Sequence, residues 1–192
     1  NPQTGHLVSD FPVSPDEIER IEILEGAAGR LFGSQAFSGA INVVTRKVVK
    51  NSLHADVAAG SYGTVGGGAN IGLKTEGFTH FLSGNFTRSD GGTENSAFNL
   101  GNAFYNGTYK SHDIHASWQT GLAAKEYGAN TFYSAAYPDQ WESNTRIFAS
   151  AKAETQGKVH ISPQISWIRS TDHFELIHRS SRGENFHRND VF

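Results

Sequence analysis

The chain has 192 residues, a formal net charge of −3, 21 glycines, 13 phenylalanines, and neither cysteine nor methionine. The lack of cysteine excludes a disulfide framework and thiolate metal sites, and the slight negative charge points away from nucleic acid and anionic membrane surfaces as partners. Only 37% of residues are hydrophobic, and no apolar run approaches the roughly 18–20 residues of a membrane helix; a membrane β-barrel, whose strands alternate and keep mean hydropathy low, stays open.

Without a methionine or a signal-peptide pattern at its start, the chain reads as an internal piece of a longer protein. Residues 1–50 mix helix and strand signals. "PQTGH", Pro2–His6, is a polar turn sequence. In "SPDEIER" Ser14 is placed to cap a helix, Pro15 suits the first helical position and Glu17 completes a capping box, so a short helix is expected. Ile21–Leu24 reads as a strand. The small-residue stretch "GAAGRLFGSQAFSGAINVVTR", Gly26–Arg46, starts with a possible helical turn at "AAGRLF" and ends in a strand rich in β-branched residues at Ile41, Val43, Val44 and Thr45. It lacks the glycine spacing of a phosphate-binding loop, so its glycines are expected to serve turns and close packing.

From residue 51 the pattern changes to period two. Leu53, Ala55, Val57 and Ala59 alternate with His54, Asp56, Ala58 and Gly60, and comparable runs recur around Ile71, Leu82, Trp118, Ala149 and Ile165. Phe98–Tyr109 is less regular, with Ala103, Tyr105 and Tyr109 on one face and Phe98, Leu100 and Phe104 on the other. Pro163 marks an edge, a bulge or a strand shorter than the alternation suggests. Connections alternate in length. "KTEG", "KSHD" and "TQGK" are short, whereas "RSDGGTENSAF", the run Lys125–Asn144 and the run Thr171–Arg188 are long. Segments of about ten residues with short turns at one end and long loops at the other fit tilted membrane strands. A soluble β-rich binding or adhesion domain is the alternative.

The segment "IERIEILEGAAGRLFGSQAFSGAINVVTR", Ile18–Arg46, resembles the C-terminal half of the plug domain in TonB-dependent outer-membrane receptors. The motif positions are the strand Ile21–Leu24, Gly26, the turn Phe32-Gly33-Ser34, Gly39 and Asn42 in "GAINVVT". Ala27 and Glu25 depart from the family's usual proline and basic residue. The resemblance implies a mainly β fold. Residues 51–192 would be the first seven to eight strands of a partial transmembrane antiparallel β-barrel, an open curved sheet, and residues 1–50 the C-terminal part of an α/β plug. A complete barrel of this kind has roughly 22 strands, and strands cut from it would leave two open edges, unstable alone in water.

The resemblance further implies active uptake of a scarce large ligand across the outer membrane of a Gram-negative bacterium. A TonB energy-coupling protein would act at a contact outside this chain, with outer-membrane lipids around the strands and a surface lipoprotein as a further partner. The opening stretch and "EYGANTFYSAAYPDQWESNTR" are similar to the cobalamin subgroup, which favours a corrinoid over an iron chelate such as a ferric siderophore or haem. On that footing Gln3, Thr4, Gly5 and His6 would face the ligand from the plug apex, and Asn130, Phe132, Tyr133 and Tyr137 from an outward loop; an ordinary polar turn and aromatic side chains packed on each other are the plain alternatives. Trp141 is expected to be loop packing or part of an interfacial aromatic girdle. Arg20 and Glu22 could pair with wall residues such as Lys152 and Glu154 as a latch. No cofactor, metal site or catalysis is expected. His112 and His115, like His173 and His178, are an odd number apart, and Ser34 and Ser38 do not form a nucleophile elbow.

Overall fold

A computed structural model describes residues 13–26, 39–180 and 183–192. Gln3, Thr4, Gly5, His6, Phe32, Gly33 and the "AAGRLF" turn lie outside these residues. The described chain is mainly β and wholly antiparallel, in two sheets. No helix among the described residues is long and apolar enough to cross a membrane, which leaves strands untouched as a means of doing so.

The smaller sheet is a hairpin of β1 (Ile18–Glu25) and β2 (Gly39–Thr45). The helix expected at "SPDEIER" is only a 3-10 turn, Pro15–Glu17. Its capping signals act locally, since Glu17 N–H donates to Ser14 O at 3.0 Å and Ser14 N–H donates to Glu17 Oε2 at 3.1 Å. The chain then leaves the turn because Ile18, Ile21 and Ile23 pair with Thr45, Val43 and Ile41. The first strand is accordingly longer than Ile21–Leu24. Gly26 has φ +83°, a left-handed conformation that favours glycine, and a Cβ on Gly39 would lie 2.7 Å from Leu24 O. Two of the motif glycines therefore serve backbone geometry.

The larger sheet is an eight-stranded meander in simple sequence order: β3 (Ser52–Ala59), β4 (Val65–Lys74), β5 (Phe78–Ser89), β6 (Phe98–Lys110), β7 (Ile114–Gly128), β8 (Trp141–Thr155), β9 (Gln164–Glu175) and β10 (Glu184–Val191). It is not closed, for β3 and β10 stand at opposite ends of the order. Residues 46–51 join it to the hairpin. Lys74 N–H donates to Asn51 Oδ1 at 2.7 Å, and Arg46 N–H donates to Glu17 O at 2.8 Å.

Four connections (60–64, 90–97, 129–140 and 176–183) lie at one end of the sheet, and three (75–77, 111–113 and 156–163) at the other. The expected alternation of length fails at 156–163, which is as long as 90–97 and 176–183, and three of the expected connections need correction. The connection expected over Lys125–Asn144 is 129–140, since β7 runs on to Gly128 and β8 already starts at Trp141. The supposed long run Thr171–Arg188 is mostly strand, with only 176–183 between β9 and β10. "TQGK" is not a tight turn, because β9 starts only after Pro163 and leaves Val159 and Ile161 in the connection, 69% and 57% exposed. The shorter-strand reading of Pro163 is the one found, as expected for a residue with no N–H to give to a ladder.

Register assigns every strand residue to a face. One face carries Leu53, Val57, Leu73, Phe78, Leu82, Phe86, Leu122 and Ile165, all exposed. Toward the end with the short turns it also carries Tyr105, Tyr109 and Trp118. There the Trp118 indole lies over its register partner Gly107, where a Cβ would come within 2.3 Å of the ring. The indole N–H donates to Tyr105 Oη at 3.2 Å, and that hydroxyl meets His80 Nδ1 at 2.9 Å.

The opposite face is mostly small and polar, with one apolar island. Phe104 is 1% exposed, and its ring centroid is 6.4 Å from Phe81 and 6.3 Å from Phe148. Gly121 lies between Phe104 and Phe148 in register, so no side chain separates the two rings.

Candidate ligand-facing rim

The end with the longer connections is tied together by side-chain amides. Asn95, in connection 90–97, donates from Nδ2 to Pro138 O and Gln140 O, both at 2.7 Å. Asn130 reciprocates by donating to Glu94 O at 2.7 Å. Gln140 is fully buried; its Oε1 accepts Tyr133 N–H at 3.0 Å, and its Nε2 donates to Ser134 O at 3.0 Å and Tyr137 O at 2.8 Å. Connection 129–140 is thus bound from inside by one glutamine and from beside by two asparagines. Sequence spacing gave no hint of Gln140, whose role depends on a loop path that only the fold defines.

The four loop residues expected to face a ligand do different things here. Asn130 is spent on holding the two connections together. The Tyr133 hydroxyl donates to Glu142, a carboxylate only 3% exposed. Its ring stands edge-on to Phe132 at 5.0 Å and to Phe174 at 4.7 Å. Burial foremost, and then this bond, push the Tyr133 hydroxyl above the ordinary tyrosine range. Phe132, 65% exposed, and Tyr137, 40% exposed, present ring surface to solvent. Next to Glu142 on the same polar face, Asn144 Nδ2 donates to Glu142 Oε1 at 2.8 Å, and the buried Asp172 meets His187 Nδ1 at 3.0 Å.

Trp141 belongs to β8 rather than the loop. It stacks on His178 at 5.1 Å and stands edge-on to His173 at 5.3 Å. In the hairpin, Asn42 Nδ2 donates to Glu22 Oε2 at 2.8 Å across the Glu22–Asn42 register pair. Arg20 pairs with Glu22 at 2.7 Å and Glu19 at 2.8 Å. The Asn42 bond first, then Arg20, hold the Glu22 carboxyl below its usual range. The expected latch between Arg20 or Glu22 and the sheet is therefore replaced by pairing inside the hairpin, while Lys152 and Glu154 pair with each other. No protein-family model matches the chain, and no curated protein matches it.

Proposed function

We propose that the chain forms the rear of the plug and the first barrel strands of a TonB-dependent outer-membrane receptor that takes up a scarce large ligand, with a corrinoid favoured over a ferric siderophore or haem. The observation that carries this reading is the run of exposed apolar side chains that one face presents from β3 to the start of β9 along a simple antiparallel meander, before Arg169, Arg188 and Asp190 pair on that face in β9 and β10. An apolar surface shared by Leu53, Val57, Leu82, Phe86, Leu122 and Ile165 is costly in water and favourable against hydrocarbon. Tyr105, Tyr109 and Trp118 at one end of it suit a headgroup boundary, where an aromatic ring meets lipid and its polar tip meets water. The resemblance of Ile18–Arg46 to a plug supplies the family.

In this reading the ligand meets the rim first. Phe132 and Tyr137 offer stiff aromatic contact area on a connection that is already ordered, so little entropy is lost on binding. Gln3, Thr4 and His6 would supply polar contacts to an amide-rich ligand from the plug apex. Release would require an inner-membrane partner pulling on the plug, because the outer membrane has no energy source of its own. The Glu22–Asn42 tie keeps β1 and β2 together under that load.

The test is equilibrium binding of cyanocobalamin to the purified protein in detergent, with ferric siderophores and haem in parallel. Saturable corrinoid binding that weakens in a Gln3/Thr4/His6 alanine variant is the expected result. Binding of an iron chelate instead keeps the transporter and discards the corrinoid. A protein that stays monodisperse without detergent overturns the membrane reading.

A further inference from the structure

Three side chains with no part in that uptake reading converge on the β9–β10 pair at the rim. His173 and Glu175 are two residues apart in one strand and so share a face. Glu184, the first residue of β10, is the register partner of Glu175. The candidate ligand atoms of the three all lie within 4.8 Å of one another. His173 Nε2 is 2.9 Å from Glu184 Oε1 and 3.5 Å from Glu175 Oε1.

From these contacts we propose a binding site for one divalent transition-metal ion of the zinc class, held by His173, Glu175 and Glu184. Two carboxylates and a neutral imidazole carry a charge of −2, which a divalent ion between them cancels. Nitrogen and oxygen ligands at about 2.0–2.2 Å from zinc lie roughly 3.3–3.6 Å from each other in a tetrahedron. The His173–Glu175 separation falls in that range and the His173–Glu184 separation is shorter, so small rotamer shifts of the two glutamates complete the geometry. An imidazole among the donors selects against calcium and magnesium, which take oxygen ligands.

The surroundings are those of a supported site. The Phe186 ring stacks on the His173 imidazole at 3.9 Å and Trp141 meets it edge-on, so its plane is fixed. Glu175 is oriented through its other oxygen, which meets His178 Nδ1 at 2.9 Å and accepts Arg179 N–H at 2.6 Å. Such outer contacts hold ligands in place at metal sites. The Glu175 side chain is 13% exposed and that of Glu184 37% exposed, which gives an ion a way in from one side and leaves a coordination position for water. Bound metal would clamp β10 to β9 and fix both ends of connection 176–183. The site needs only the β9–β10 register and stands whether or not the strands lie in a membrane.

The experiment is calorimetric titration of the metal-stripped full chain in detergent with Zn²⁺, with Co²⁺ absorption spectra reporting the ligand field. One saturable Zn²⁺ equivalent is expected, with affinity at least about tenfold weaker in Glu184→Gln and in His173→Gln. The Co²⁺ visible bands should fade in both variants. His160→Ala, at the opposite end of the sheet, should bind as the parent does. Zn²⁺ binding of equal strength in the parent and Glu184→Gln, Ca²⁺ binding tighter than Zn²⁺, or no saturable binding would each overturn the site. Because Glu184 is exposed and begins its strand, Glu184→Gln tests the metal without endangering the fold.

Discussion

Replacing Gln140 by alanine should loosen connection 129–140 while leaving the sheet intact. The substitution deletes three hydrogen bonds and strands the Tyr133 amide and the Ser134 and Tyr137 carbonyls in a fully buried spot. At about 1 kcal/mol net each, the loss comes to ~3 kcal/mol, or roughly a hundredfold more frequent local opening. Amide hydrogen exchange resolves this directly: the Tyr133 amide should exchange about a hundredfold faster in Gln140→Ala, with strand amides in β6 unchanged. Gln140→Glu sharpens the test. It keeps the acceptor for Tyr133 but turns a carboxylate oxygen toward two carbonyls, so the protection factor at Tyr133, with the intrinsic pH dependence of exchange divided out, should rise as the pH falls and the new carboxyl takes up a proton. Exchange at Tyr133 equal to the parent in Gln140→Ala would refute the claim that this side chain holds the loop.

Two further predictions concern aromatic residues. Phe104→Ala should cost about 3 kcal/mol in urea unfolding, at the low end for a buried phenylalanine because Phe81 and Phe148 can lean into the space; Leu100→Ala, on the same face but 39% exposed, should cost well under half as much. The Tyr133 hydroxyl, raised by burial and by Glu142, should ionise late. Its folded value lies above the unfolded one, so its contribution to stability is complete below pH ~10 and is lost only as the pH climbs beyond that. In a 295 nm alkaline titration Tyr133→Phe should remove the most alkaline step, and an unchanged alkaline limb would sink this assignment.

Period-two alternation located seven of the eight strands of the larger sheet, even the irregular Phe98–Tyr109 segment, because side-chain direction in a strand is set by the backbone itself; the first half of β10 was read as part of a long connection. Strand ends were harder. Lys125–Gly128 and Trp141–Asn144 remain paired after the apolar alternation has stopped, so polarity suggested loop where the backbone ladder continues. The reverse error occurs at Val159 and Ile161, which alternate correctly yet precede Pro163. At "SPDEIER" the local capping signals were sound, and strand pairing of the isoleucines overrode them. The cluster of His173, Glu175 and Glu184 was hidden because histidine spacings alone were compared. The His-x-Glu pair was present in β9, but bringing Glu184 opposite Glu175 depends on the length of connection 176–183. Asn42 was legible as a motif position, though its bond to Glu22 follows only from the hairpin register.

The strands lengthen from 8 residues in β3 to 15 in β7 and β8. Since about 9–11 tilted residues cross a bilayer, the two longest would overshoot it by about a turn-length of backbone. Insertions and deletions at 129–140 would then be absorbed beyond the paired ladder, at a distance from everything the apolar face requires. Two of the three connections at the opposite end offer no such slack. At 75–77 and 111–113 the chain reverses within three residues, closed by bonds such as Thr75 N–H to Phe78 O and Ser111 N–H to Ile114 O. One residue added there would slip the register and send Leu82 or Leu122 to the wrong side of the sheet. The protein therefore has one margin free to diversify and, at 75–77 and 111–113, two reversals held to a fixed length.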